Sequence, residues 1–157
     1  MASTQEDFRC QAPRIDGEPC KNHSLPDSKY CPYHRYKDAG CYKIKLTSDK
    51  WYVGFSRNVR ARINEHRESI VERNHRTPQW IIEHPPADPF QYEILRTYNK
   101  KLPRKSIWGN IDENEFTLEL MEKYGIDNVR GGDWVMVTLS KSERERIERE
   151  IEKREIE

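Results

Sequence analysis

Two sets of side chains in this sequence have the types and spacing for chemistry. The first runs Cys10-x9-Cys20-x10-Cys31-x2-His34. Thiolate sulfur and imidazole nitrogen are the donors that zinc takes in tetrahedral sites, and a Cys-x2-His pair delivers two of them from one turn. Cys20 follows Gly17-Glu18-Pro19, a turn-forming run that presents a ligand from a bend. Three cysteines and one histidine fill the coordination sphere, so a zinc ion held there is structural rather than catalytic. His23 lies in a polar stretch and is expected to be exposed.

The second set is Tyr42, Tyr52, Arg62, His66 and a carboxylate further along. Arg62 and His66 stand four residues apart, on one helical face. An arginine fork grips two phosphate oxygens and stabilises the charge that builds there in a transition state. His66 can hydrogen-bond the same phosphate or shuttle a proton. The run 112–124 offers Asp112, Glu113, Glu115, Glu119 and Glu122. Helical spacing sorts them. Glu113, Thr117, Leu120, Met121 and Tyr124 share one face, whereas Glu115, Glu119 and Glu122 share the opposite, polar one. A carboxylate on the inward face has to be paired or bind a metal. Glu113 is therefore the candidate ligand, with Glu115 as the fallback. One carboxylate plus waters and a substrate phosphate suits Mg²⁺.

Short elements must position these groups. Residues 41–46 (CYKIKL) and 51–55 (WYVGF) are β-prone and separated by Thr47-Ser48-Asp49-Lys50, which predicts a hairpin. Tyr42 and Tyr52 fall on its two strands. Residues 57–72 put Val59, Ile63 and Ile70 on one stripe and predict a helix. Pro78 opens a second, short helix through Trp80 and Ile81, stopped by Pro85-Pro86. A third strand is expected over 90–96, a basic loop over 99–106, and a helix over 112–124 ended by Gly125. Residues 134–139 (WVMVTL) read as strand-like, and 141–157 as a solvated, charge-alternating helix. Its Ile147, Ile151 and Ile156 make too thin a stripe for a coiled coil. The expected fold is α+β, a small three-stranded antiparallel sheet flanked by helices, with an N-terminal zinc-stabilised module and a charged C-terminal helix.

The totals narrow the function classes. The 157 residues carry a formal net charge of +1, with 34% hydrophobic and 35% charged residues. The molecule as a whole is no polycation, so a basic surface must be local. Residues 43–105 hold 14 Lys and Arg against 7 Asp and Glu, while the remainder stands at −6. That basic middle, interleaved with Trp51, Tyr52 and Trp80, suits a nucleic-acid backbone. No run of 18 apolar residues is present, so no membrane span is expected. The N-terminal MASTQEDFRC has no apolar core of a secretory signal. An intracellular location, cytoplasm or nucleus, is expected, where cysteines bind metal rather than pair.

Two family resemblances join these observations. The stretch "CQAPRIDGEPCKNHSLPDSKYCPYHR" is similar to a small zinc-finger family whose pattern includes the four ligands and several positions between them. From residue 40 to about 134 the chain resembles the GIY-YIG nuclease superfamily. The signatures stand here as "GCY", "YVG", "SRNVRARINEH" and "ENEF", and "MEKYGIDNVRGGDW" is similar to a run found in one subgroup. Cys41 takes the isoleucine position, which assigns it to the sheet rather than to zinc. The resemblance implies an endonuclease that hydrolyses phosphodiester bonds with Mg²⁺ or Mn²⁺ on Glu113. Tyr42 or Tyr52 would be the base for water, with Arg62 and His66 at the phosphate. DNA is favoured over RNA on the same ground, and a monomer is favoured. Arg130 would touch a phosphate or brace Glu113, and Gly131-Gly132 would allow a close backbone approach. The implied layout is a zinc module over 1–37, a nuclease domain over 38–139 and a helical tail over 140–157. The alternatives are a nucleic-acid-binding module that does not cut, and a zinc-finger adaptor for a protein partner.

Overall fold

The computed structural model describes residues 9–14, 16–26, 28–68, 77–98 and 108–156. Strands β1 (Gly40–Lys45) and β2 (Trp51–Ser56) form the expected hairpin, with Tyr42 opposite Gly54 and Ile44 opposite Tyr52. Ser48 and Asp49 turn its tip at φ of 60° and 58°, a region that short polar side chains tolerate. Helix α1 (Val59–Glu68) starts where the Asn58 side-chain oxygen accepts the Ala61 N–H at 3.2 Å. The rest of its predicted span, with Ile70, lies outside the described residues, as does the basic loop over 99–106. Helix α2 (Gln79–Glu83) follows Pro78, and β3 (Tyr92–Thr97) runs antiparallel to β1. Helix α3 (Trp108–Tyr124) begins four residues earlier than its charge pattern suggests and ends at Gly125, where φ is 101°. Strand β4 (Val129–Gly131) and helix α4 (Lys141–Ile156) complete the chain. Ser140 and Glu143 cap α4 reciprocally, each side chain accepting the other's backbone N–H at 3.2 Å.

The sheet departs from the three antiparallel strands expected. It has four strands in the order β3-β1-β2-β4, and β4 runs parallel to β2. Three residues ending in glycine are too short for an alternating pattern to reveal, so β4 hides inside "NVRGG". The strand-like run 134–139 forms no strand. Two of its carbonyls, those of Met136 and Val137, accept hydrogen bonds from the Arg130 guanidinium instead.

Each face of the sheet has its own core. On one face Tyr42, Ile44 and Tyr52 pack with Val59 and Ile63 of α1 and with Trp80 and Ile81 of α2. On the other, Val53 and Val129 pack with Leu118, Leu120 and Met121 of α3, with Trp134 and with Ile147 of α4. The reading of α4 as a solvated helix therefore holds only for its outer face. Ile147 is completely buried, and Arg154 pairs with Glu115 of α3. Among the described residues, no helix is long and apolar enough to cross a membrane.

Arg130 takes neither of the roles its position suggested. Its side chain is buried and donates to the carbonyls of Met136, Ile126, Val129 and Val137, at 2.7, 2.7, 2.7 and 3.1 Å. The guanidinium also lies 4.5 Å from the centre of the Trp80 ring. It thus ties β4, the turn before it and the 134–139 segment to the α2 side of the fold. A lysine ammonium is a single point of charge and cannot serve four spread acceptors. Arg130→Lys should destabilise the protein by about 3 kcal/mol, since each stranded buried carbonyl costs about 1–3 kcal/mol. Urea unfolding of the two proteins measures this.

Candidate metal centre and active site

One ligand atom each from Cys10, Cys20, Cys31 and His34 lie within 4.8 Å of one another. His34 Nδ1 stands 3.4 Å from Cys10 Sγ and 3.3 Å from Cys31 Sγ. Ligands of a tetrahedral zinc, at its usual bond lengths, are about 3.6–3.8 Å apart. The donor set and its size therefore fit zinc. The three cysteines are buried with Ala12 and Tyr30. Burial raises the Cys31 thiol, but the His34 and Tyr33 backbone N–H groups and the His34 ring outweigh it and bring Cys31 to about 6. A thiol so poised gives up its proton to a cation readily. Among the described residues the surrounding chain makes isolated bridges, Arg9 to His23 and Pro13 to Pro19, and no ladder. His23 is exposed and stands outside the cluster. The Ser28 hydroxyl hydrogen-bonds the buried Asp38 carboxylate, which joins this segment to the turn just before β1.

Cys41 stands apart, fully buried in β1 with its sulfur 3.6 Å from the Tyr98 hydroxyl. Burial pushes its thiol up to about 11, so it is a neutral packing group.

The second set converges at the Gly54 end of the hairpin. The Tyr42 hydroxyl is 2.9 Å from His66 Nε2, and the Arg62 guanidinium lies near enough to favour ionisation of the same hydroxyl. The Tyr42, Tyr52 and His66 rings form a triangle with centroid separations of 6.4, 5.8 and 5.5 Å. Gly54 makes this possible, because a Cβ there would collide with the Tyr42 hydroxyl and ring. Arg62 also pairs with Glu65 at 2.5 Å, one helical turn on. Glu65 did not emerge from the sequence pattern, although its i,i+3 spacing from Arg62 was available. A cleft lined by Ser56, Asn58, Ala61, Arg62 and Glu65 opens beside this group.

Glu113 reaches the group from α3. The backbone N–H groups of Gly132 and Phe55 face its carboxylate and favour the charged form. Burial is the larger effect and pushes the carboxyl up to about 7, helped by the charge of Asp133. The Glu113 charge in turn raises both tyrosines, after burial has done most of that work; Tyr52 reaches about 12 and Tyr42 goes well above its ordinary 10. Burial and Arg62 drive His66 down to about 3, so the imidazole is neutral. The other acidic residues of α3 face elsewhere. Asp112 accepts from Tyr98 at 2.6 Å and Arg96 at 3.2 Å, and exposed Glu115 pairs with Arg154.

Residues 38–154 match the family model of the GIY-YIG catalytic domain. The chain belongs to the GIY-YIG family. No curated protein and no solved structure matches the chain. GIY-YIG domains are generally endonucleases, which makes this one a nuclease candidate. The Glu113 carboxyl, the neutral histidine and the two tyrosines all lie within the matched residues.

Two outcomes test these sites. Purified protein should carry one zinc per chain by elemental analysis, lost in Cys31→Ser and retained in Cys41→Ser. The second concerns pH, in zinc-loaded protein without other divalent ions. The Glu113 carboxyl sits at about 7 when folded against 4.5 ordinarily. Below the lower value both states are protonated and nothing is lost. As pH rises through the window, the unfolded chain ionises first and stability falls, levelling off above the folded value. Glu113→Gln escapes this penalty. Its advantage over the wild type should grow as pH rises from about 6 and reach on the order of 3 kcal/mol above about pH 8. His66, whose folded value is depressed, destabilises with the opposite sign as pH falls, and cancels in the comparison.

Proposed function

We propose that the chain is a metal-dependent endonuclease that hydrolyses phosphodiester bonds in DNA, with a structural zinc finger over 1–37 that adds backbone contacts or docks on the catalytic domain. The observation that carries this reading is the Tyr42 hydroxyl hydrogen-bonded to neutral His66 beside the Arg62 guanidinium, with the half-buried Glu113 carboxyl close enough for its charge to act on both tyrosines.

The reaction follows from these groups. Arg62 holds the scissile phosphate through its fork, and the phosphate displaces part of its pairing with Glu65. Water attacks phosphorus. Tyr42 is itself protonated at neutral pH, so it takes the water proton only by passing its own to His66 Nε2. Burial does most to keep His66 neutral, and the bound phosphate supports the transfer by offsetting the smaller Arg62 contribution with its negative charge. Tyr42 is favoured over Tyr52 as the base by this hydrogen bond. Tyr52 packs beside the relay and keeps bulk water from it.

Glu113 would hold Mg²⁺ or Mn²⁺. Its carboxyl fits that role, being half-buried and favoured in its charged form by two N–H groups, where a cation can replace the proton that burial favours. When bound, such an ion supplies positive charge at the leaving 3′ oxygen. DNA as the substrate rests on the family resemblance and on the basic excess of residues 43–105. One such site in a monomer cuts one strand per encounter.

Zinc-loaded protein incubated with supercoiled plasmid should nick it with Mg²⁺ and not with the Mg²⁺ left out. Glu113→Ala and Arg62→Ala should each lower the rate by about 10²-fold or more. Glu113→Ala should still bind DNA. Binding without cutting in the wild type would make the chain a nucleic-acid-binding module instead.

A further inference from the structure

The loop after β4 meets α3 on both sides of Glu113. It is a tight two-residue turn, closed by paired hydrogen bonds between Gly131 and Trp134 at 2.9 Å in each direction. Gly132 sits at its tip with φ of 55°, so close to the Asn114 side chain that no Cβ fits. Asp133 follows. Its backbone N–H donates to Asn114 Oδ1 at 2.8 Å, and Asn114 Nδ2 donates back to its carboxylate at 2.9 Å. Asn110, one turn earlier on α3, donates to the other carboxylate oxygen at 3.3 Å. Glu113 lies between these two asparagines on the helix, and the Gly132 N–H faces its carboxylate.

These hydrogen bonds are exposed and polar. Exposed pairs of this kind add little to stability. Yet the chain commits a left-handed glycine and three polar side chains to one contact. The contact holds Gly132 against α3 next to Glu113, and the Gly132 N–H is one of two backbone groups that favour the charged form of that carboxyl. We propose that Asn114 and Asp133 form a latch that orients the Glu113 carboxylate for a divalent cation, making both of them positioning residues. The inference rests on Glu113 being the cation ligand. Groups that orient a metal-binding side chain commonly change affinity by about 10–100-fold when removed.

The test is Mn²⁺ binding to zinc-loaded full-length protein, followed by electron paramagnetic resonance without nucleic acid. Wild type, Glu113→Ala, Asn114→Ala, Asn114→Asp, and Asn114→Asp combined with Asp133→Asn are compared, each with its urea midpoint. Asn114→Ala should bind Mn²⁺ about tenfold more weakly with an almost unchanged midpoint. Asn114→Asp faces two carboxylates and should be at least as weak. The double exchange re-forms the pair with donor and acceptor reversed, and should return most of the affinity. Loss of binding in Glu113→Ala with wild-type affinity in Asn114→Ala would overturn the latch and leave the ligand standing. Failure of the double exchange to recover affinity would also overturn it. A wild type that binds no Mn²⁺, or a Glu113→Ala that binds as tightly as wild type, would overturn the ligand assignment and the latch together.

Discussion

Two missing side chains on and beside β2 decide where everything else goes. Gly54 lets the Tyr42 ring lie across the strand, so its hydroxyl arrives at His66 rather than at solvent. Gly109 does the same on the opposite face, where the Phe55 ring packs against it. That close approach brings α3 down onto the end of β2, and the Phe55 N–H then faces Glu113. Residues 54 and 55 thus join two faces with separate cores. A β-carbon at either glycine would force α3 or Tyr42 outward, and the tyrosine and the carboxylate would part.

The electrostatics show a site whose inner groups are held back from charge. Burial raises the Glu113 carboxyl, holds both tyrosines protonated and denies His66 its proton. Charge stands at its edges, on Arg62 paired with Glu65 and on Asp133 beside Glu113. Such a site gains most from ligands that arrive with charge of their own, an anion at Arg62 and a cation at Glu113. Each ligand relieves a shift the other would worsen, since the cation permits Glu113 to ionise and the anion permits His66 to protonate. Binding of the two is therefore mutually reinforcing on charge grounds alone.

Much of this was legible in the residue order, for physical reasons that also explain the gaps. Metal ligands are few and chemically distinct, so spacing reveals Cys10, Cys20, Cys31 and His34. The hairpin and α1 declare themselves through period, and helical phase separates Glu113 from the outward Glu119 and Glu122. The gaps arise where a tertiary partner overrides local pattern. WVMVTL has the composition of a strand, but two of its carbonyls are taken by Arg130. β4 is too short to show alternation. The stripe on α4 is thin because Ile147 is buried completely and Ile151 partly, while Arg154 ties the same helix to α3 through Glu115. Asp133 and Asn110 come together across more than twenty residues through a glycine turn, which no periodicity encodes.

The anchoring of α4 sets an order of assembly. The face built from the hairpin, α1 and α2 draws only on residues up to Phe90, apart from Val137 at its margin. The face that carries Glu113 also requires Ile147. During synthesis every residue of the first core, Val137 included, is in place before α4 is made, whereas α3 gains Ile147 only once α4 has been added. A chain cut short before α4 would keep the packing around Tyr42 and lose part of the packing that seats the helix of Glu113.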